Sequence, residues 1–223
     1  MRIQRKRKVK MIVNDRITEY IKSLEPDESP LIYEIGKKAR ENGVPVIREE
    51  TAAFLKTMTA AMNPKAILEV GTAVGYSTLL MAEVMAPDCQ ITTIEKYEKR
   101  IPVARQNFLE AGKTECITLL EGDAGERLKG LTGPFDLVFM DAAKGQYLAW
   151  LPEILRVMRV GGMLISDNVL QDGDIIESRY AVERRNRTIH ARMREYLYEL
   201  KHSDHLVTTI VPIGDGITVS IRR

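Results

Sequence analysis

The sequence predicts an α/β protein: a doubly wound, mostly parallel seven-stranded sheet, an antiparallel hairpin at its C-terminal edge, and helices at the N-terminus. Three observations predict it. Short apolar runs, "AILEV", "ITTIE", "CITLL", "FDLVFM" and "GMLIS", recur through the middle of the chain. Stretches with apolar residues at helical spacing separate them, over 77–86, 98–111, 124–130 and 145–159. Strands alternating with helices make a parallel sheet covered on both faces. The third observation is the end of the chain. "LVTTIVPIGDGITVSIRR" is two β-rich runs joined by "IGDG", a hairpin with a glycine-containing turn.

The N-terminal elements follow the same logic. "DRITEYIKSL", "PLIYEIGKKARENG" and "EETAAFLKTMTAAM" predict three helices within 11–62, the second stopping at Gly43. The sheet and its helices fill 63–223. A chain of 223 residues, 44% hydrophobic, suits one domain spanning 1–223. No apolar run approaches the ~20 residues that cross a bilayer, so no membrane partner is expected. "MRIQRKRKVKMIVNDR" lacks the apolar core and cleavage site of a signal peptide. Cys89 and Cys116 have no metal-type spacing, so a reducing, cytoplasmic setting is expected.

The net charge is only +2, but the basic residues cluster. Residues 1–10 form a basic arm with Arg2, Arg5, Lys6, Arg7, Lys8 and Lys10 and no acid; Met11 offers an alternative start that would make it dispensable. Residues 179–194 hold Arg179, Arg184, Arg185, Arg187, Arg192 and Arg194 against Glu183 alone. Each stretch by itself reads as a solvated arm or helix face. Beside an active site, either would suit a polyanion.

The acids and amides sit at strand ends. "ILEVGTAVGYST" leaves the first strand and opens a helix; Gly71 and Gly75 permit a tight turn and close approach to a ligand, and Ser77 can cap the helix. Ala73 occupies the middle position of a G-x-G-x-x-G pattern, which argues against a pyrophosphate. Glu69 would repel a phosphate and welcome a cation. Glu95 ends the second strand, where an acid grips ribose hydroxyls. Asp123 and Ala124 follow the third strand, Asp141 the fourth, and Asp167 with Asn168 the fifth. In an open α/β sheet this rim is where ligands bind. Six oxygen-bearing side chains there are hard to read as packing, since unpaired carboxylates rarely persist when buried.

"LEVGTAVGYST", "FMDAAKGQY", "LISDNVL" and "IGDGITVSIRR" resemble the cation-dependent O-methyltransferases of the catechol and caffeoyl-CoA type, from about Val46 to the C-terminus. Within that group the bacterial branch acting on tRNA 5-hydroxyuridine is most similar in length and in its basic segments. The resemblance implies a Rossmann-like methyltransferase fold with S-adenosylmethionine in the Gly71 loop. Glu69, Gly71, Ser77 and Ile47 would hold its methionine portion, Glu95 its ribose, and Asp123 and Ala124 would border its adenine. Asp141, Asp167 and Asn168 match the family's metal ligands, and Lys144 its catalytic lysine. A homodimer through the N-terminal helices is also implied.

The ligand types agree with this chemistry. Two carboxylates and an amide carbonyl are hard donors suited to Mg²⁺ or Mn²⁺. A cation lowers the pKa of a bound hydroxyl, and an acceptor with two adjacent oxygens can chelate it. There are departures. The catechol enzyme has a tryptophan directly before the lysine; here Ala143 stands there and leaves the site less walled. His190, His202 and His205 have no metal spacing, and Trp150 reads as packing rather than a stacking platform. The expected acceptor is a wobble hydroxyuridine in the tRNA anticodon region, with Arg179, Arg184, Arg185 and Arg187 on the RNA. A small catechol or phenol is the alternative. A nicotinamide dehydrogenase fits poorly because of Ala73 and the metal set. A non-catalytic RNA-binding module fits poorly because Asp141, Lys144, Asp167 and Asn168 are all present.

Overall fold

The computed structural model describes residues 14–25 and 29–223, so the basic arm expected at 1–10 lies outside the described residues. Three helices open it: α1 (Asp15–Lys22), α2 (Pro30–Glu41) and α3 (Glu49–Met62). Asn14 caps α1 by accepting from the Arg16 N–H at 3.0 Å, and Pro30 starts α2 where its missing N–H costs nothing. Asn63, in a left-handed conformation (φ 44°), ends α3.

Strands and helices then alternate as the periodicity requires: β1 (Ala66–Val70), α4 (Tyr76–Val84), β2 (Gln90–Glu95), α5 (Ile101–Glu110), β3 (Ile117–Glu121), α6 (Ala124–Lys129), β4 (Phe135–Met140), α7 (Tyr147–Val157), β5 (Met158–Ser166) and α8 (Arg187–His202). The chain closes with β6 (Leu206–Val211) and β7 (Ile217–Arg222). The order across the sheet is β3-β2-β1-β4-β5-β7-β6. β7 runs antiparallel to both neighbours, as the hairpin reading requires.

The period of two along each strand sorts the core into two layers. Ile67, Leu137 and Phe139 face α2, α3, α4 and α5. Leu68, Val70, Val138 and Met140 face the other way, onto α6, α7 and α8. The fold is the Rossmann-like one expected. The strand order reverses between β1 and β4, and a crevice opens there at the carboxyl ends.

Boundaries differ in places. α5 begins at Ile101, not 98, with Pro102 in its first turn. α7 begins at Tyr147, because a 3₁₀ turn over Lys144–Gln146 precedes it. β5 begins at Met158: Arg159, Val160 and Gly161 are exposed and polar or isolated, so that start carries no apolar run. Ser77 is not the cap of α4; Gly75 (φ 86°) takes that position.

Candidate active site

The crevice holds a cavity of about 690 Å³. One end is built by the loops after β1 and β2. Gly71 has φ 107°, and a Cβ there would lie 2.0 Å from the Asp141 carbonyl oxygen. Its amide and that of Thr72 donate to the Ile94 carbonyl at 3.0 and 3.2 Å. The close approach that requires this glycine is therefore between two loops, and not only toward a ligand. Ala73 is left-handed (φ 48°), which aims its N–H at Glu95 Oε2, 2.7 Å away. Glu95 Oε1 accepts from the amides of Lys96 (2.9 Å) and Tyr97 (2.7 Å). Three backbone donors thus fix this carboxylate, and one lone pair on Oε2 is left for a ligand hydroxyl.

Glu69 is placed differently from the expectation. It is fully buried and does not line the cavity. Oε1 accepts from Ser77 Oγ at 2.6 Å, and Oε2 from Thr93 Oγ1 at 2.5 Å and from Thr78 Oγ1. Burial pushes the carboxyl up to about 7, opposed by these three donors. The residue reaches the cavity through Ser77, which lines it beside Ile47. Ser77 commits its only proton to Glu69, so it presents lone pairs to the cavity and suits a cationic donor. Asp123 caps α6, accepting from the Gly125 N–H at 2.9 Å, and Ala124 lies in the cavity wall next to it. Trp150 packs in the core as expected, yet also lines this end.

The other end gathers Asp141, Lys144, Asp167 and Asn168. Lys144 Nζ donates to Asn168 Oδ1 at 2.7 Å, and Asn168 Nδ2 donates to Asp167 Oδ2 at 3.0 Å. Asp167 Oδ1 is buried with no hydrogen-bond partner among the described residues. Burial raises the Asp141 carboxyl, opposed by the Lys144 charge and a hydrogen bond from Asn168. Burial also raises Asp167, and the Asp141 charge adds to it. Two buried carboxylates this close resist joint ionisation unless a cation lies between them. Among the described residues no three His, Cys, Asp or Glu side chains form a metal cluster; this donor set counts two carboxylates and an amide oxygen.

Sequence reasoning missed the clasp made by Arg48. Arg48 pairs with Asp172 at 2.7 Å and with Asp215, joining three distant segments at the cavity mouth. Asn168, Gln171, Asp172 and Gly173 all have positive φ, so this strap departs sharply from helix and strand. The "GDG" around Asp215 was the available signal: Gly214 and Gly216 are left-handed and turn the hairpin toward Arg48.

A profile of the family described as O-methyltransferase matches residues 23–223. The chain belongs to this family. The O-methyltransferase is 31% identical over 169 residues to a protein named catechol O-methyltransferase from Niastella koreensis, covering 73% of this chain and 76% of that one. It is 28% identical over 224 residues to a putative caffeoyl-CoA O-methyltransferase from Arabidopsis thaliana, covering 95% of each. A solved putative O-methyltransferase from Klebsiella pneumoniae superposes with a TM-score of 0.83 at 28% identity, covering 97% of this chain and all of that one.

The arginines of this O-methyltransferase divide into two sets. Arg187 donates to the carbonyls of Val182 and Tyr180, Arg192 to Gly145, and Arg194 to Ile175. Arg185 pairs with Glu183. Of the six arginines over residues 179–194, Arg179 and Arg184, both exposed, make no such bond among the described residues.

Proposed function

We propose that this O-methyltransferase moves a methyl group from S-adenosylmethionine to one of two adjacent oxygens, with Mg²⁺ or Mn²⁺ as cofactor. The acceptor we assign is the 5-hydroxyuridine at the wobble position of a tRNA. One juxtaposition carries the reading: Asp141, Asp167 and Asn168 converge beside Lys144 at one end of a cavity whose other end offers Glu95 and Ser77. The unpartnered Asp167 Oδ1 and the mutual repulsion of the two carboxylates fit a hard divalent cation. When bound, that cation supplies Lewis acidity to an acceptor hydroxyl. The lone pairs of Ser77 and the free lone pair of Glu95 fit an ammonium and a ribose hydroxyl.

The chain's own residues position and deprotonate. Lys144 is the amine at the acceptor end, and in its neutral form it would take the acceptor's proton onto Nζ. Asn168 orients it through the 2.7 Å bond. The Gly71 contact with Asp141 holds donor and acceptor ends in register, the main protein contribution to a displacement in line.

The tRNA assignment is supported by the segment that leads into α8. Among the described residues the Arg179 and Arg184 side chains bond nothing and are open to phosphates; Tyr180, 85% exposed with the Arg187 guanidinium over its ring, can stack on a base, and Ala143 leaves room for one. A small catechol is the second reading, favoured by the name of the Niastella relative and by the structural tasks of the other four arginines. Ile17 and Tyr20 on α1 and Leu24 just after it, all exposed, support a homodimer through the N-terminal helices. Mass spectrometry of tRNA nucleosides from a deletion strain tests the assignment. A methoxyuridine species should vanish and return with the gene; an unchanged nucleoside profile removes tRNA and leaves the catechol reading.

A further inference from the structure

Tyr147 opens α7 and is fully buried. Its hydroxyl accepts from the Ala142 N–H at 3.1 Å and lies 3.1 Å from the Met140 carbonyl and 3.4 Å from the Asp167 carbonyl. A phenol has one proton, and with both carbonyls within hydrogen-bond reach it is shared between them as a three-centre bond. Met140 and Ala142 flank Asp141. One buried atom therefore touches the backbone on both sides of one candidate ligand and the backbone of another. The ring is held in turn by Tyr196, edge-on at 5.5 Å, and by Trp150 at 6.5 Å. Tyr147 also closes the 3₁₀ turn that carries Lys144.

We propose that Tyr147 is a positioning residue for the divalent cation: its hydroxyl clamps the exits of β4 and β5 at the separation that lets Asp141 and Asp167 share one ion. The inference rests on the cation reading above. Its physical basis is the backbone. β4 and β5 are hydrogen-bonded only as far as Met140 and Ser166, and the Asp167 N–H bonded to the Met140 carbonyl at 3.0 Å is the last ladder contact. Past that point side-chain bonds from Asn168 join the two exits, and Tyr147 ties their backbones. Outer groups of this kind typically tune metal affinity about 10–100-fold.

Tyr196 provides the control. Its hydroxyl pairs with Ser166 Oγ at 2.6 Å, one residue before Asp167, but bonds no backbone atom of a ligand residue. The experiment measures Mn²⁺ affinity by electron paramagnetic resonance and S-adenosylhomocysteine affinity by calorimetry in wild type, Tyr147→Phe and Tyr196→Phe, at a temperature where circular dichroism shows all three folded. Tyr147→Phe should weaken Mn²⁺ binding about tenfold and leave S-adenosylhomocysteine binding nearly unchanged. Tyr196→Phe should lower Tm and leave Mn²⁺ binding unchanged. Wild-type Mn²⁺ affinity in Tyr147→Phe, or an equal loss in both variants, overturns the inference while the cation reading stands. No Mn²⁺ binding by wild type overturns both. If Tyr147→Phe does not fold, amide exchange at Ala142 in wild type decides: it should slow on saturation with Mg²⁺, because coupling between ion and hydrogen bond is reciprocal, and unchanged exchange overturns the inference.

Discussion

Ionising Glu69 places a charge with no exposed surface a short way from Asp141. Its ordinary value is 4.5 and burial pushes it up to about 7, so the folded protein keeps this proton after the unfolded chain has lost it. The sign follows. The contribution to stability is fully present below pH 4.5, falls as pH rises through the window to about 7, and is then lost. The size is about 3 kcal/mol. Glu69→Gln removes the titration, and the three hydroxyls around it can turn to accept from its amide. The variant should match wild type near pH 4.5 and exceed it by about 2–3 kcal/mol at pH 8. Urea unfolding at both pH values measures this, and parallel pH dependence in the two proteins would show that the hydroxyls keep Glu69 ionised throughout. That Glu69 stands at a strand end was legible in the sequence. That three hydroxyls from two separate elements surround it was not, because periodicity tells which face a side chain takes and not which atoms it meets there.

At the scale of the element, the loops leaving β1 and β4 approach too closely for a side chain at residue 71. A Cβ at residue 71 would sit 2.0 Å from the Asp141 carbonyl oxygen, and φ 107° is itself strained for any side chain but glycine's hydrogen. Gly71→Ala must part the loops. It should cost more than about 2 kcal/mol of stability and shift Asp141, so S-adenosylhomocysteine affinity and Mn²⁺ affinity should fall together. Calorimetry and unfolding of the variant check this; intact binding of both would mean that the loops are not held in register by contact. The parallel strands were legible as short apolar runs separated by helical stretches. The start of β5 was not, since Arg159 and the following Val-Gly-Gly carry no alternation. Nor was the Arg48 clasp, whose partners stand far away along the chain.

Over the whole molecule, sequence and structure agree on the sheet, on the rim at its carboxyl ends and on the place of Asp141, Asp167 and Asn168, because one pattern of strand, acid and helix repeats. The arginine segment differs. Six positive residues in sixteen look like a binding face, but a guanidinium can also donate to backbone carbonyls, and Arg187, Arg192 and Arg194 brace the backbone at Tyr180 and Val182, at the Lys144 turn and at Ile175. A test of RNA binding must therefore leave these alone. Arg179→Glu with Arg184→Glu alters only the two that make no bond among the described residues, next to the exposed Tyr180. If they rest on phosphates, each contact releases a counterion, so the slope of log affinity against log salt should become shallower by about 1.5. KM for tRNA should rise about tenfold at low salt, where phosphate contacts count most. Turnover of a free catechol or of the hydroxyuridine nucleoside should stay unchanged, because neither reaches the rim. Comparing both acceptors in both proteins across a salt series separates the outcomes. Equal losses on large and small acceptors would assign the two arginines to the fold, and wild-type kinetics on tRNA would make them a solvated face and move the small catechol to first place.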